Sequence, residues 1–357
     1  MKKLFIGMAV CLQTLFIAVC ALADVAIDEA HFPDDIFRAY VSQNFDWDQD
    51  GALTDDEAMA AQVFSLDNSG VKDLTGLSFF PYLEKISCSN CGLTALDVSG
   101  TPRLVDIRCE GNAIQTLDVS QNPSLLNLYC ASNRLTSLDV SHNPSLQQLY
   151  CQDNRLTELI LYENHPLKTL NCANNQLTFL DLFQTGGLRR LYCNDNQLTS
   201  LNISQTSMSD VHSWNNEYDF SNNVRAITAE GGVFDLSTLP GMDLPRASYW
   251  TGCIVEENTL IMSESGEVTY DYDIGKTYHV KFTLLVTVTG SPVPTPGDAT
   301  GDGKVTLNDV VRLLKYVSGW DVTVTAENCD VTGDGQVTLS DVVRLLKFVS
   351  GWDVELR

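Results

Sequence analysis

From Leu83 onward the chain repeats itself every 21 residues as Leu-x-x-Leu-x-Cys-x-x-Asn-x-Leu-Thr-x-Leu-Asp-Val-Ser-x-Asn-Pro. The copy LNLYCASNRLTSLDVSHNPS, residues 126 to 145, shows the pattern in full. Leu83, Leu104, Leu125, Leu146, Leu167 and Leu188 open six units, and an irregular unit at 66 to 83 precedes them. One such unit cannot fold alone. About six buried apolar side chains at ~1.5–3 kcal/mol each do not offset ~1–2 kcal/mol of backbone entropy for each residue of the repeat. Neighbouring units must stack, completing the burial and pairing strand edges into a ladder.

Within each unit the Leu-x-Cys alternation predicts a short strand with Leu and Cys facing inward. The Asn column runs Asn112, Asn133, Asn154, Asn175 and Asn196, with Cys91 in its place in the first copy. An Asn side chain there bonds backbone groups at the turn, where an unpaired amide is costly. These residues resemble the leucine-rich-repeat family, which accepts Asn or Cys at that site. The resemblance implies a curved solenoid of short parallel strands. The outward strand positions then line its concave face: Ser87, Arg108, Tyr129, Tyr150, Asn171 and Tyr192 in one column, and Lys85, Asp106, Asn127, Gln148, Thr169 and Arg190 in the next. Tyrosines flanked by amides suit a protein or glycan ligand, with rings for rigid area and amides for hydrogen bonds. Strand preference alone also accounts for tyrosines there. The expected ligand residues are Arg108, Tyr129, Tyr150, Asn171 and Tyr192.

Of 11 cysteines, Cys88, Cys109, Cys130, Cys151, Cys172 and Cys193 follow the period, so they are repeat positions and not a pairing scheme. Cys88-Ser-Asn-Cys91 fits a C-x-x-C redox or metal pattern. Both residues already have repeat roles, so buried, inert thiols are expected.

DWDQDGALTDDE, residues 46 to 57, matches the calcium loop of an EF-hand. Asp46, Asp48 and Asp50 alternate, Gly51 supplies the turn, Ala52 offers its carbonyl, Thr54 acts through water and Glu57 is bidentate. Residues 34 to 45 and 57 to 64 are predicted flanking helices.

The C-terminal segment is an internal duplication. DATGDGKVTLNDVVRLLKYVSGWDV from Asp298 and DVTGDGQVTLSDVVRLLKFVSGWDV from Asp330 differ only as Ala299/Val331, Lys304/Gln336, Asn308/Ser340 and Tyr316/Phe348. Each is a calcium-type loop running into a helix that stops at Gly319 or Gly351. The arrangement resembles the type I dockerin family, which plugs enzymes and other modules into cohesins of cellulosome scaffolds. The resemblance implies calcium held by Asp298, Thr300, Asp302, the Lys304 carbonyl, Thr306 and Asp309, and again by Asp330, Thr332, Asp334, the Gln336 carbonyl, Thr338 and Asp341. Thr300 and Thr332 stand where the family has Asn or Asp, so each loop has one weaker oxygen ligand. By the same resemblance Leu307, Asn308, Arg312 and Lys315, with Leu339, Ser340, Arg344 and Lys347, read the cohesin. Val310, Leu313, Leu314 and Val317 have core spacing.

The formal net charge of −24 excludes basic-patch binding to nucleic acid or anionic membranes. Lys2 and Lys3, an apolar run to Leu22 and Ala21-Leu22-Ala23 form a secretory signal over 1–23, with no later stretch long enough to span a bilayer. The expected organisation is multidomain. It comprises the signal, an EF-hand-like helical segment over 24–63, the solenoid over 64–206 and a small β-sandwich-like module over 207–290. A Pro-rich linker over 291–297 and a dockerin over 298–357 complete it. The module, which alternates clearly at 268–272 and 279–288, is expected to cover the solenoid's open end. No catalytic constellation is visible, and the histidines His31, His142, His165, His212 and His279 stand in unrelated contexts. Three readings stay open: a secreted non-catalytic subunit docked by calcium onto a cohesin-bearing scaffold of a polysaccharide-degrading complex, a cell-surface adhesin, and a glycoside hydrolase-associated enzyme with an unrecognised site in 207–290.

Overall fold

The computed structural model describes residues 24–161, 166–182, 185–207, 217–276, 278–290, 296–301, 304–324 and 326–357. The signal segment, most of the linker, His165, His212 and the calcium-ligand position Asp302 lie outside the described residues.

The repeat becomes one parallel sheet of eight three-residue strands in chain order: Val63–Ser65, Lys85–Ser87, Asp106–Arg108, Asn127–Tyr129, Gln148–Tyr150, Thr169–Asn171, Arg190–Tyr192 and Glu217–Asp219. Each central residue from Ile86 to Leu191 is buried, as is the Cys two positions on. The Asn column closes each coil. In Asn175, Nδ2 donates to the carbonyls of Cys151 and Cys172, both at 3.1 Å, and Oδ1 accepts from Leu156 N at 2.9 Å. Replacing Asn175 by Leu leaves the Leu156 amide buried without a partner, at ~1–3 kcal/mol, and takes one of two hydrogen bonds from the Cys151 and Cys172 carbonyls, which keep those from Asn154 and Asn196. The Asn175→Leu solenoid is expected to be about 3 kcal/mol less stable, read as a lower urea midpoint at unchanged slope.

The last strand corrects the expected solenoid boundary at 206. Glu217–Asp219 pairs in parallel with Arg190–Tyr192, and Asn223 repeats the Asn contacts to the Cys193 carbonyl and Leu198 N at 3.2 Å each. The offset from Tyr192 to Asp219 exceeds 21, which hid this coil from the period. A second ladder joins the coils elsewhere. Asn143 Nδ2 donates to the Val119 and Asn122 carbonyls at 2.9 Å each, and Thr101, Thr185 and Thr206 hydroxyls take the same place in other coils.

The N-terminal segment caps the solenoid. Helix α1 (Asp35–Phe45) starts at Asp34, whose Oδ1 accepts from Ile36 N and Phe37 N at 2.9 Å each. Its other oxygen accepts from Lys72 N at 2.7 Å and ties the cap to the first coil. Phe37 and Phe45 of the helix pack with Phe32, Phe64 and Phe80 in edge-on and tilted contacts, the Phe64 and Phe80 rings 4.8 Å apart. Gly76 makes this possible: its φ is +99°, and a Cβ there would fall 2.5 Å from the Phe32 ring and 2.6 Å from the His31 carbonyl. Gly76→Ala is expected to destabilise the cap by about 2 kcal/mol, read as a lower thermal midpoint.

At the other end the β-rich module is a single sheet of seven strands and not two facing ones. Its order is Ala247–Thr251, Gly266–Gly275, Tyr278–Thr289, Val224–Glu230, Val233–Asp235, Thr259–Ile261, Ile254–Glu256. The first and last of these are opposite edges, yet only Gly252 and Cys253 separate them in sequence. At ~3.3–3.6 Å per residue the edges must approach, so the sheet curls on itself. Its buried face carries Val268, Tyr270, Tyr272, Phe282 and Leu284. Tyr270 donates to the Thr199 carbonyl at 2.6 Å and Ile203 N to the Ile274 carbonyl at 2.8 Å, so the last full coil supplies the layer that a second sheet was expected to provide.

The C-terminal unit has its own small core of Ala299, Val310, Leu313, Cys329, Val331, Val342 and Leu345. It contains the long helices Leu307–Val317 and Leu339–Val349. Its two ends meet: Gly297 lies so close to Leu356 that a Cβ would fall 2.7 Å from that side chain, and Gly297 N donates to the Asn328 carbonyl at 2.7 Å.

Candidate functional site

The two C-terminal loops are built alike. Thr306 and Thr338 cap the helices that follow, each in a reciprocal box with Asp309 or Asp341. Asp309 is fully buried: Oδ1 accepts from Thr300 N at 2.9 Å and Thr300 Oγ1 at 2.7 Å, and Oδ2 accepts from Thr306 N at 2.8 Å. Asp341 repeats this with Thr332 and Thr338. Burial by itself raises the Asp341 carboxyl, and these bonds outweigh it to leave the group below its ordinary value. Asp298 and Asp330 collect loop amides, Gly301 N on Asp298 at 2.7 Å and Gly333 N and Gly335 N on Asp330 at 2.8 and 2.6 Å. The threonines that depart from the family pattern therefore brace the last carboxylate of each loop. Lys304 sits at a carbonyl-ligand position, and its ammonium pairs with Glu256 of the curled sheet at 2.5 Å.

Among the described residues, the one group of three carboxylates with ligand atoms within 4.8 Å of one another is Asp46, Asp48 and Asp50. Asp330, Asp334 and Asp341 do not form a group that compact. Gly51 turns this N-terminal loop at φ +81°, and Thr54 caps helix α2 (Asp55–Ala60). Buried Glu57 closes the loop, its oxygens accepting from Trp47 N at 2.7 Å and Thr54 N at 2.9 Å. In all three loops the donors are hard oxygens, the set that suits calcium and not a soft or imidazole-seeking metal.

The two long C-terminal helices expose the same faces. Leu307 and Leu339 are each 57 % exposed, Asn308, Lys315, Ser340 and Lys347 are exposed, and Arg312 and Arg344 are half-buried at matching positions. Val311 and Leu314 extend the first face, as Val343 and Leu346 extend the second. Leu314, expected in the core, is 42 % exposed. One turn of helix presents only one stripe to the partner helix, and Val310, Leu313 and Val317 fill it. Trp320 and Trp352, missed in the sequence, stand exposed beneath Lys315 and Lys347, with ammonium-to-ring distances of 5.9 and 5.7 Å.

On the solenoid the expected concave columns are in register: Arg108, Tyr129, Tyr150, Asn171 and Tyr192 stand side by side on adjacent strands. Tyr129 and Tyr150 stack at 5.0 Å and 10°. The Arg108 guanidinium covers the other face of this pair, 4.8 Å from the Tyr129 centroid, and Arg108 Nε donates to Asp106 at 2.9 Å. Tyr129 donates its hydroxyl proton to Gln148 at 2.9 Å.

All nine described cysteines are free, and every one but Cys253 is buried. Cys91 donates its thiol proton to the Leu66 carbonyl at 3.0 Å, so the C-x-x-C pair follows the repeat. Burial pushes the ladder thiols up, Cys172 to about 12 and the half-buried Cys253 to about 11. At pH 8 about one Cys253 in a thousand is ionised. Alkylation of the native protein is expected to be slow everywhere and fastest at Cys253. The denatured, unreduced chain should label all nine, and paired ladder cysteines in the mass spectrum would refute this.

Residues 296–350 match the Dockerin type I domain. The chain is therefore a leucine-rich-repeat solenoid followed by a C-terminal dockerin, with few helices elsewhere. Similar solved structures include the functional domain of InlJ from Listeria monocytogenes, which includes a cysteine ladder. It is 17 % identical, with a TM-score of 0.30 over 75 % of this chain and 99 % of that one. Internalin C2 of Listeria monocytogenes is 18 % identical, with a TM-score of 0.39 over 52 % and 96 %. The Leptospira interrogans leucine-rich-repeat protein LIC12759 is 22 % identical, with a TM-score of 0.33 over 37 % of each chain. No curated protein matches the chain in sequence. Among the described residues no helix is long and apolar enough to cross a membrane.

Proposed function

We propose that the protein is a secreted, non-catalytic binding subunit whose dockerin attaches it to a cohesin-bearing scaffold through calcium while the solenoid holds a second partner. The observation that carries this reading is the pair of equally exposed helix faces, each set directly on a loop of calcium-type oxygen donors. Asp298, Thr300, Asp302, Lys304, Thr306 and Asp309 hold one ion, Asp330, Thr332, Asp334, Gln336, Thr338 and Asp341 the second. Asp46, Asp48, Asp50, Ala52, Thr54 and Glu57 hold a third that rigidifies the solenoid cap. The calcium supplies charge neutralisation in each loop, and the chain's own residues orient the helix faces.

For the concave face a protein partner is favoured over a glycan. Arg108 and Tyr150 cover the two faces of Tyr129, so that ring offers its edge and hydroxyl and no open face for a sugar to stack on. Edges, hydroxyls and a guanidinium suit a peptide surface. Capture of the full chain on immobilised cohesins, with and without chelator, tests the first half of the reading. Retention only with calcium is expected, and a folded protein that no cohesin retains leaves the adhesin reading in its place. For the second half, Tyr129→Ala with Tyr150→Ala is expected to abolish capture of the solenoid's protein partner with cohesin binding intact.

A further inference from the structure

The junction between solenoid and curled sheet holds a cleft of about 270 Å³ that neither docking face uses. Solenoid residues Phe179, Asp181 and Asn202 line one side, and Asp243, Arg246 and Tyr272 of the module line the other. Its volume lies just under the roughly 300–1,000 Å³ of ordinary small-molecule sites, room for one ring-sized ligand. Clefts between modules are a preferred place for such sites.

The lining has two characters. Phe179 is 48 % exposed, an aromatic ring left open at the mouth. Its ring lies against Gly241, where a Cβ would fall 2.6 Å away, so a residue without a side chain lets the turn close onto the ring. The Tyr272 hydroxyl accepts from Asp243 N at 3.0 Å and fixes that turn, and the Arg246 guanidinium lies over the Tyr272 ring at 5.4 Å. Arg246 forms none of the ion pairs among the described residues. An open ring facing carboxylates, an amide and an unpaired planar donor matches a pyranose, with an apolar C–H face and a rim of hydroxyls that donate and accept.

We propose that this cleft binds a single neutral sugar ring. Phe179 stacks on its C–H face, Asp181 and Asp243 accept from ring hydroxyls, and Asn202 and Arg246 donate to them. Two carboxylates against one guanidinium leave the lining net negative, which selects a neutral ring over a uronic acid. The site is independent of the concave face and of the dockerin.

The test titrates the full chain with glucose, galactose, mannose, xylose, cellobiose, lactose, xylobiose and galacturonate, by saturation-transfer NMR and calorimetry. Millimolar binding of at least one neutral sugar is expected. Phe179→Ala should weaken it about tenfold, and Arg246→Gln should weaken it too at an unchanged thermal midpoint, a second probe should the first variant fail to fold. Tyr150→Ala, on the concave face, should leave it unchanged. A disaccharide that binds more tightly than its monomer identifies a chain end as the natural ligand, and equal binding identifies the free sugar. No binding of any neutral sugar at about 50 mM, binding of galacturonate alone, or loss in Tyr150→Ala with retention in Phe179→Ala overturns the proposal.

Discussion

Chelating calcium is expected to unfold the C-terminal unit while the solenoid keeps its sheet. The dockerin core consists of seven buried apolar residues, two of them Ala299 and Cys329, and it is separate from the continuous core that runs from Phe32 through the curled sheet. A unit of about 60 residues with so small a core is marginal without a metal or other staple. Its loops also gather Asp298, Asp309 and Asp341 in one small unit, and their hydrogen bonds do not remove the repulsion between like charges that a cation cancels. An ion at about 1,000 times its dissociation constant restores ~4 kcal/mol, the scale of the whole unit's stability. Far-UV circular dichroism of the full chain should therefore lose over half of its helical component on chelation, because the helices at Leu307–Val317 and Leu339–Val349 are 11 residues each, against 11 in α1 and 6 in α2 of the cap. The fluorescence of Trp320 and Trp352 should shift with it, and added calcium should reverse both. A helical signal unchanged by chelator would show that the small core suffices and that calcium is not structural.

The parts of this architecture legible in the sequence are those in which a side chain's role repeats. Six coils were readable because Leu, Cys and Asn each recur at one offset, and one offset means one environment. The seventh was not, because Asn223 does the same work as Asn196 after a longer interval that no fixed period detects. The duplicated loops were readable because an oxygen cage needs oxygen at alternate positions. What those loops do next was not: that Thr300 and Thr332 spend their hydroxyls on Asp309 and Asp341 depends on how the chain closes. What covers the curled sheet was not legible for a related reason. Alternation at 268–272 and 279–288 fixes strands and a buried face, and says nothing of whether a second sheet or the solenoid's last coil covers it. The junction cleft was invisible, since Phe179 and Arg246 lie on different modules and only tertiary packing brings them to one cavity. On the helices, Leu314 and Leu313 are adjacent and identical in kind, and which of them faces inward is set by the partner helix.

The second large effect is a non-additivity in cohesin binding. In the full chain the two helices have matching exposure along their whole length, so a half-turn of the dockerin presents nearly the same face to one cohesin. The four differences between the halves leave this intact: Ala299/Val331 is buried or core-facing, Lys304/Gln336 lies in the loops, and Asn308/Ser340 and Tyr316/Phe348 exchange like for like in size or polarity. Leu307 with Arg312 and Lys315, and Leu339 with Arg344 and Lys347, are then interchangeable anchors. Reversing charge at Arg312 and Lys315 alone, or at Arg344 and Lys347 alone, should leave near-full affinity, with only the ~0.4 kcal/mol (RT ln 2) of orientational degeneracy lost. Reversing all four should abolish binding, because a few anchors carry most of an interface's energy. Two asymmetries stand among the described residues: the half-exposed Lys304–Glu256 pair, worth ~0–1 kcal/mol, and the bond from Arg344 Nε to the Glu355 carbonyl at 2.7 Å, which a short rearrangement of the C-terminal segment releases, so neither enforces one orientation. Titration of each variant against one cohesin by calorimetry reads the result directly. If either two-site variant alone eliminates binding, the dockerin has a single fixed orientation and the duplication serves its fold and not its recognition.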